Sequence, residues 1–207
     1  MRVIAGKFRS RPLASLEGQD TRPTYDRLKE TLFNVLASAG SLDGAEFLDL
    51  FAGTGSIAIE ALSRGAAHVT LVENNRRAVR VINENLMTLN IADEADVMEC
   101  DVAEGLRRLR LQKRSFDVIF LDPPYKMQGA YEQVLRLVSE SIAKTEAAQT
   151  DAAAVASSEV SAGAALQHYS GLLRPGGVLI AEHEKRFDPG DGTPQLARYR
   201  TLTQGES

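Results

Sequence analysis

Ala45-Glu46-Phe47-Leu48-Asp49-Leu50-Phe51-Ala52-Gly53-Thr54-Gly55-Ser56-Ile57-Ala58-Ile59-Glu60-Ala61-Leu62-Ser63-Arg64-Gly65 runs from one apolar stretch, through a glycine turn, into a second that Gly65 ends. It predicts a buried strand over 45–51, a turn over 52–56 and a helix over 57–64. Gly53 and Gly55 let the backbone approach a ligand closely where the helix presents its unpaired N–H groups. Val69–Val72 predicts the next strand, closed by Glu73, 24 residues after Asp49. An acid at the tip of the second strand of a βαβ unit is placed to accept both ribose hydroxyls of a nucleoside. A nucleoside-containing cofactor is therefore expected. Its kind stays open here, because Gly53, Gly55 and Ala58 also satisfy the dinucleotide fingerprint G-x-G-x-x-G/A, with Glu73 20 residues after Gly53.

Downstream, 76–89 predicts a helix with Val79, Ile82, Leu86 and Leu89 on one face, 96–100 a strand closed by Asp101, and 102–111 a helix. Asp101 suits either an adenine amine or a helix cap. A fourth strand, Phe116-Asp117-Val118-Ile119-Phe120-Leu121, stops at Asp122-Pro123-Pro124-Tyr125. Two prolines have fixed φ and no N–H, so the strand cannot continue and the carbonyls of Asp122 and Pro123 are left to face a ligand. With the Tyr125 ring beside them, these acceptors suit a planar base that bears an exocyclic amine. Alone, the same tetrad also reads as a plain strand-to-helix turn. A helix over 129–143, a helix over 168–173, a tight turn at 174–177, a strand over 178–182, a loop over 186–194 and a last strand over 199–203 complete the pattern. Strands alternating with helices predict an α/β fold, a parallel Rossmann-like sheet covered on both faces, with ligands at the carboxyl ends of the strands. Asp49, Glu73, Asp101 and Asp122 all fall at such ends.

At the amino end, 2–6 and 8–14 predict a β-hairpin turning at Gly6-Lys7, and Pro23-Thr24 opens a helix to about Ala39. Residues 1–14 carry Arg2, Lys7, Arg9 and Arg11 and no acid, against a net charge of −4 for the 207 residues. Such an arm suits phosphate contacts, or else a solvated edge guarded by charge. The domains expected are a basic hairpin extension over 1–20 and a catalytic domain over 21–207. Within the latter, 143–165 holds ten alanines in 23 residues and reads as an insertion without catalytic duty. A single cysteine, Cys100, excludes an internal disulfide and favours a reducing cytoplasm. The scattered His68, His168 and His183 offer no metal cluster. No window is long and apolar enough for a membrane span, and the amino terminus lacks an apolar signal core.

Leu-Asp-Leu-Phe-Ala-Gly-Thr-Gly-Ser at 48–56 together with Asp-Pro-Pro-Tyr at 122–125 resembles the class I S-adenosylmethionine-dependent methyltransferases that act on an exocyclic amino nitrogen. Arg-Val-Ile-Ala-Gly at 2–6 and Thr-Arg-Pro-Thr-Tyr-Asp-Arg-Leu-Lys-Glu-Thr-Leu-Phe-Asn at 21–34 narrow this to a resemblance to the RsmD family. These are bacterial enzymes that methylate N2 of a guanine in 16S ribosomal RNA. The resemblance implies S-adenosylmethionine as cofactor, S-adenosylhomocysteine as product, no metal, and a monomer acting in the cytoplasm. It implies 16S rRNA as partner, within the 30S subunit or an assembly intermediate.

For the residues, it implies that Asp49 and Phe51, Ala52, Gly53, Thr54 and Gly55 hold the methionine portion, Glu73 with Asn74 the ribose, and Asp101 with Val102 the adenine. Thr21, Arg22 and Thr24 fall in the family's cofactor-lid segment. Asp122, Pro123, Pro124 and Tyr125 take the target base, with Asp122 also bordering the cofactor, and Arg2, Lys7, Arg9 and Arg11 bind RNA. One departure is that methyltransferases of this class end in two antiparallel strands, while this sequence leaves room for one. A DNA adenine-N6 or protein-glutamine methyltransferase shares Asp-Pro-Pro-Tyr, an NAD-dependent oxidoreductase shares the glycine turn and Glu73, and a non-catalytic RNA-binding module needs only the arm.

Overall fold

The computed structural model describes residues 1–16, 23–124, 127, 129–155, 171–183, 192–193 and 195–198, with the backbone alone described at 23–25, 28, 143–155, 192 and 197. Strands β1 (Glu46–Leu50), β2 (His68–Glu73), β3 (Ala95–Glu99), β4 (Phe116–Leu121) and β5 (Leu173–Ala181) form one parallel sheet in the order β3-β2-β1-β4-β5. Parallel neighbours need crossover connections, and α2 (Ser56–Ser63), α3 (Arg76–Leu89), α4 (Val102–Leu111) and α5 (Gly129–Val155) lie in them; α1 (Pro23–Ser38) precedes the first strand. The strand order reverses between β1 and β4, whose last residues Leu50 and Leu121 are partners. A crevice at the carboxyl ends of the strands opens at that reversal.

Period-2 alternation assigns the strand side chains to two cores. Phe47, Val69, Leu71, Val118 and Phe120 pack with Leu32, Phe33 and Leu36 of α1, Ile59 and Leu62 of α2, and Ile82 and Leu86 of α3. Leu48, Leu50, Val72, Ile119 and Leu121 pack with Leu106 and Leu109 of α4 and Tyr131, Val134 and Val138 of α5. Among the described residues no helix is long and apolar enough to cross a membrane.

Several expectations shift. The amino-terminal hairpin has a single antiparallel bridge, Arg2 to Pro12, flanked by Val3 N–H to Arg11 O (3.0 Å) and Leu13 N–H to Met1 O (2.9 Å). Its turn is wider than Gly6-Lys7, because the N–H groups within it are drawn to α2: Ile4 and Ala5 donate to Glu60, and Lys7 and Phe8 to Ser63. A Cβ on Gly6, at φ +82°, would lie 1.8 Å from the Ser63 carbonyl oxygen, so that approach requires glycine.

Helix α5 runs past Ala143 to Val155, because alanine favours helix even where it anchors no core. The helix expected over 168–173 is overturned where it is described. Leu172 and Leu173 are buried, Leu172 O accepts from Phe116 N–H (2.8 Å), and Leu173 opens β5 opposite Phe116. The turn at 174–177 is a bulge inside β5, since the register steps from Phe116↔Leu173 to Val118↔Val178. Within the segment read as loop, Gly192–Thr193 forms β6 and pairs antiparallel with β7 (Leu196–Ala197). The strand expected over 199–203 lies outside the described residues.

Candidate active site

The glycine turn leaves β1 through Phe51, which holds φ +65°, a left-handed conformation costing a non-glycine residue roughly 1–2 kcal/mol. Gly53 (φ +57°) and Gly55 (φ +75°) follow. A Cβ on Gly55 would press on Leu71 (3.1 Å) and Ile82 (3.3 Å), so this glycine seats α2 against the sheet. A Cβ on Gly53 would meet nothing within 4 Å, so the turn faces open space there. Asp49, 1% exposed, lies beneath the turn with Oδ2 accepting from Ala58 N–H (3.2 Å) in the first turn of α2. Burial pushes its carboxyl up to about 8; the Ala58 bond opposes this, while Asp122 and Glu73 add to it.

Glu73, at the tip of β2, takes Gly53 N–H on Oε2 (2.8 Å) and Asn75 N–H on Oε1 (2.8 Å). It ties the glycine turn to the start of α3, where Asn75 caps the helix by accepting from Arg77 N–H (2.9 Å). Asn74 is exposed between them. Of the two roles open to Asp101, the cap is formed: its carboxylate accepts from Glu104 N–H (2.9 Å) at the start of α4. Val102 is half-buried beside it, packed on the second core.

At the end of β4 the acceptors stand without donors. Pro123 is buried and Pro124 exposed, and the Pro124 carbonyl accepts from Met127 N–H (2.7 Å). Among the described residues, no donor reaches the Asp122 carboxylate or the carbonyls of Asp122 and Pro123. Burial raises the Asp122 carboxyl to about 6. Tyr125, Thr21 and Arg22 lie outside the described residues, as does the side chain of Thr24, whose backbone is in the first turn of α1. Asp49, Phe51–Gly55, Glu73, Asp122 and Pro123 thus gather at the carboxyl ends of β1, β2 and β4, with Asp101 and Val102 beyond β3. No group of three or more metal-ligating side chains is found among the described residues.

Three polar side chains at or behind the candidate site escaped the sequence reading. Glu182 follows β5, and its N–H donates to Leu121 O (2.9 Å), so it sits beside Asp122; burial, then the Asp122 charge, raises it to about 8. It shows the signal that marked Asp122, an apolar run closing on an acid. Asn85, 2% exposed on α3, accepts from Ala14 N–H (2.7 Å) and donates to Ala14 O (3.2 Å) and Thr54 O (3.1 Å), joining the arm to the glycine turn. Glu60, fully buried, holds the arm through Ile4 and Ala5 and lies against Arg64 (2.7 Å) and Lys29 (3.7 Å). Of the basic arm residues, Arg2 pairs with Asp26 (3.8 Å) and Lys7 with Glu94 (2.7 Å), while Arg9 and Arg11 are exposed and their side chains have no partner among the described residues.

The family described as Conserved hypothetical protein 95 matches residues 1–161. The Bacillus subtilis protein YlbH, provisionally named an rRNA methyltransferase, is 38% identical over 205 residues, 99% of this chain and 94% of its own. The Haemophilus influenzae ribosomal RNA small subunit methyltransferase D is 42% identical over 142 residues, 68% of this chain and 72% of its own. The solved structure of yhhF from Escherichia coli, provisionally a methyltransferase, superposes with a TM-score of 0.58 at 38% identity, covering 67% of this chain and 72% of that one. The sheet order, the glycine turn and these matches agree that the chain has the Rossmann-like class I methyltransferase fold and belongs to the Conserved hypothetical protein 95 family, the RsmD family of rRNA methyltransferases.

Proposed function

We propose that the protein transfers a methyl group from S-adenosylmethionine to the exocyclic N2 of a guanine in the 16S rRNA of the small ribosomal subunit. The observation that carries the reading is the set of unpartnered acceptors of Asp122 and Pro123 at the end of β4, beside the glycine turn at the reversal of strand order. The half-buried Asp122 carboxylate and the Pro123 carbonyl are free to accept, and an incoming amine with two N–H groups supplies the donors that the described residues do not.

The residues at the turn fit the cofactor. Gly53 leaves open space, Glu73 stands at the tip of β2 for the ribose, and Asp49 lies buried beneath the methionine end. Bound S-adenosylmethionine supplies a methyl group on a sulfonium, which departs as the thioether S-adenosylhomocysteine. Asp122 Oδ and the Pro123 carbonyl accept the two amine hydrogens, which directs the nitrogen lone pair away from the ring and toward the methyl carbon. The amine proton, made acidic by methylation, would pass to the Asp122 carboxylate or to water. Alignment and fitted dipoles provide most of the acceleration. Tyr125 stacks on the base, and the exposed Arg9 and Arg11 contact RNA phosphates.

The test is transfer of labelled methyl to 30S particles or 16S RNA from cells lacking this modification, followed by nucleoside analysis. Label running as N2-methylguanosine is expected; label on adenine or protein, or none at all, overturns the assignment. Asp122→Ala is expected to lower transfer ~10²–10³-fold, as loss of a transition-state contact does, while S-adenosylmethionine affinity stays within a few-fold. Loss of cofactor binding in that variant would instead move Asp122 out of the base site.

A further inference from the structure

The base site has more acceptors than the amine can use. Guanine presents three donor hydrogens on its Watson–Crick edge, two on N2 and one on N1. The Asp122 carboxylate and the Pro123 carbonyl account for the two on N2. The ring N1–H then needs a third acceptor, in the plane of the base and next to the first two.

Glu182 stands at that position. In the parallel ladder Leu121 pairs with Ala181, and Glu182 N–H donates to Leu121 O (2.9 Å), so Glu182 and Asp122 are the next lateral pair beyond the last rung. Paired positions in a parallel ladder share a face of the sheet. The Glu182 backbone is fixed from its other side, where the Tyr131 hydroxyl of α5 donates to Glu182 O (2.5 Å). Like that of Asp122, the Glu182 carboxylate receives no hydrogen bond among the described residues. Both carboxyls are partly buried and neither has a donor; burial displaces both upward, and the Asp122 charge adds to the rise at Glu182. The donor-rich edge of guanine is the partner such a pair lacks and favours the ionised form of Glu182, whereas adenine offers a bare N1 acceptor that the ionised group repels.

Resting on the guanine-N2 reading above, we propose that Glu182 is the specificity-determining residue for that base, accepting the ring N1–H while Asp122 and Pro123 hold the amine.

The test replaces the target guanine, once located by nucleoside analysis, with 2-aminopurine in an otherwise identical rRNA substrate. That base keeps the 2-amine but has an unprotonated N1. The wild-type protein is expected to favour guanine by at least ~10²-fold in kcat/KM, because a site built to hydrogen-bond a donor rejects an analogue lacking it. Glu182→Gln offers an amide that can donate to N1, so the preference for guanine should fall at least ~10-fold, with S-adenosylmethionine affinity within a few-fold of wild type. Glu182→Asp, which keeps the carboxylate, should lose rate while retaining the preference. An unchanged guanine to 2-aminopurine ratio in Glu182→Gln, or loss of cofactor affinity in either variant, overturns the inference. If the wild-type protein leaves no N2-methylguanosine, the base assignment itself has failed, and the inference goes with it. A wild-type enzyme that methylates guanine normally while Glu182→Gln shows no shift in preference sinks this inference alone.

Discussion

Glu60→Ala tests whether the amino-terminal arm is held by one buried carboxylate. Glu60 is 0% exposed on α2 and takes Ile4 N–H on Oε2 (2.8 Å), and Ala5 N–H (3.0 Å) and Arg64 Nε (2.7 Å) on Oε1. Lys29 Nζ, also buried, lies 3.7 Å from Oε2, and burial pushes its pKa down despite that carboxylate. Deleting Glu60 removes the larger of the two carboxylate charges that favour the lysine ion, leaving Asp26, in a site that already disfavours it. Removing one partner of a buried pair costs about 3–5 kcal/mol. The Asp26 charge still favours the Lys29 ion, which argues for the lower end, about 3 kcal/mol. In a protein of this size that lowers Tm by about 6–12 °C. Calorimetry gives the stability, and limited trypsin digestion gives the arm, whose Arg2, Lys7 and Arg9 become cleavable once Ile4 and Ala5 are released; Arg11, followed by Pro12, does not. Replacing both charges, Lys29→Met with Glu60→Gln, should recover most of the loss. A Tm within about 1 °C of wild type for Glu60→Ala, together with an unchanged rate of arm cleavage, would refute the reasoning.

Asn85→Ala removes the bonds to Ala14 and Thr54 together and should weaken S-adenosylmethionine binding about 10-fold or more, since an unanchored glycine turn must be ordered by the ligand; titration calorimetry checks this, with Asn85→Asp, which keeps the acceptor for Ala14 N–H, expected to fall between. Stability should decline as pH rises from 5 to 9. Asp122, displaced to about 6, and Asp49 and Glu182, each displaced to about 8, hold protons in the folded state that the unfolded chain releases near 4. Their stabilising contribution is complete below pH 4 and is lost as pH climbs through those values, at about 1.4 kcal/mol per unit of displacement at full effect. Urea midpoints at pH 5.5 and 8.5 measure it, and Glu182→Gln should flatten the slope; an unchanged slope would count against that assignment.

The sheet was legible because its strands are short apolar runs with polar ends, and the glycine turn marks where the first strand passes to a helix. What stayed hidden depends on distant partners. Leu172 and Leu173 suit a helix as well as a strand, and only Phe116 on β4, with the bulge at 174–177, makes them strand. Glu60 and Ser63 look like the polar side of an exposed helix. Yet α2 is buried on every side, and its polar atoms satisfy the N–H groups of a segment 55 or more residues earlier. Asn85 was missed for the same reason, as one polar position on an amphipathic helix whose partners lie 71 and 31 residues away.

These hidden contacts link what the motifs left separate. The arm binds α2 through Glu60 and Ser63, its first residue meets Thr54 Oγ1 (3.5 Å to Met1 Sδ), and its exit at Ala14 is tied through Asn85 to the Thr54 carbonyl. The glycine turn is thus held from the arm side by Asn85 and from the sheet side by Glu73. A force that displaces the arm, such as an RNA backbone drawing on Arg9 and Arg11, therefore acts on Thr54 through two contacts, one buried and one partly buried, without any rearrangement of the sheet. The acceptors of Asp122 and Glu182 stand apart from that linkage, fixed to the strand ends by Leu121 O and the Tyr131 hydroxyl. Arm variants should accordingly alter cofactor affinity, and β4–β5 variants the choice of base, because the two sets of contacts share no side chain.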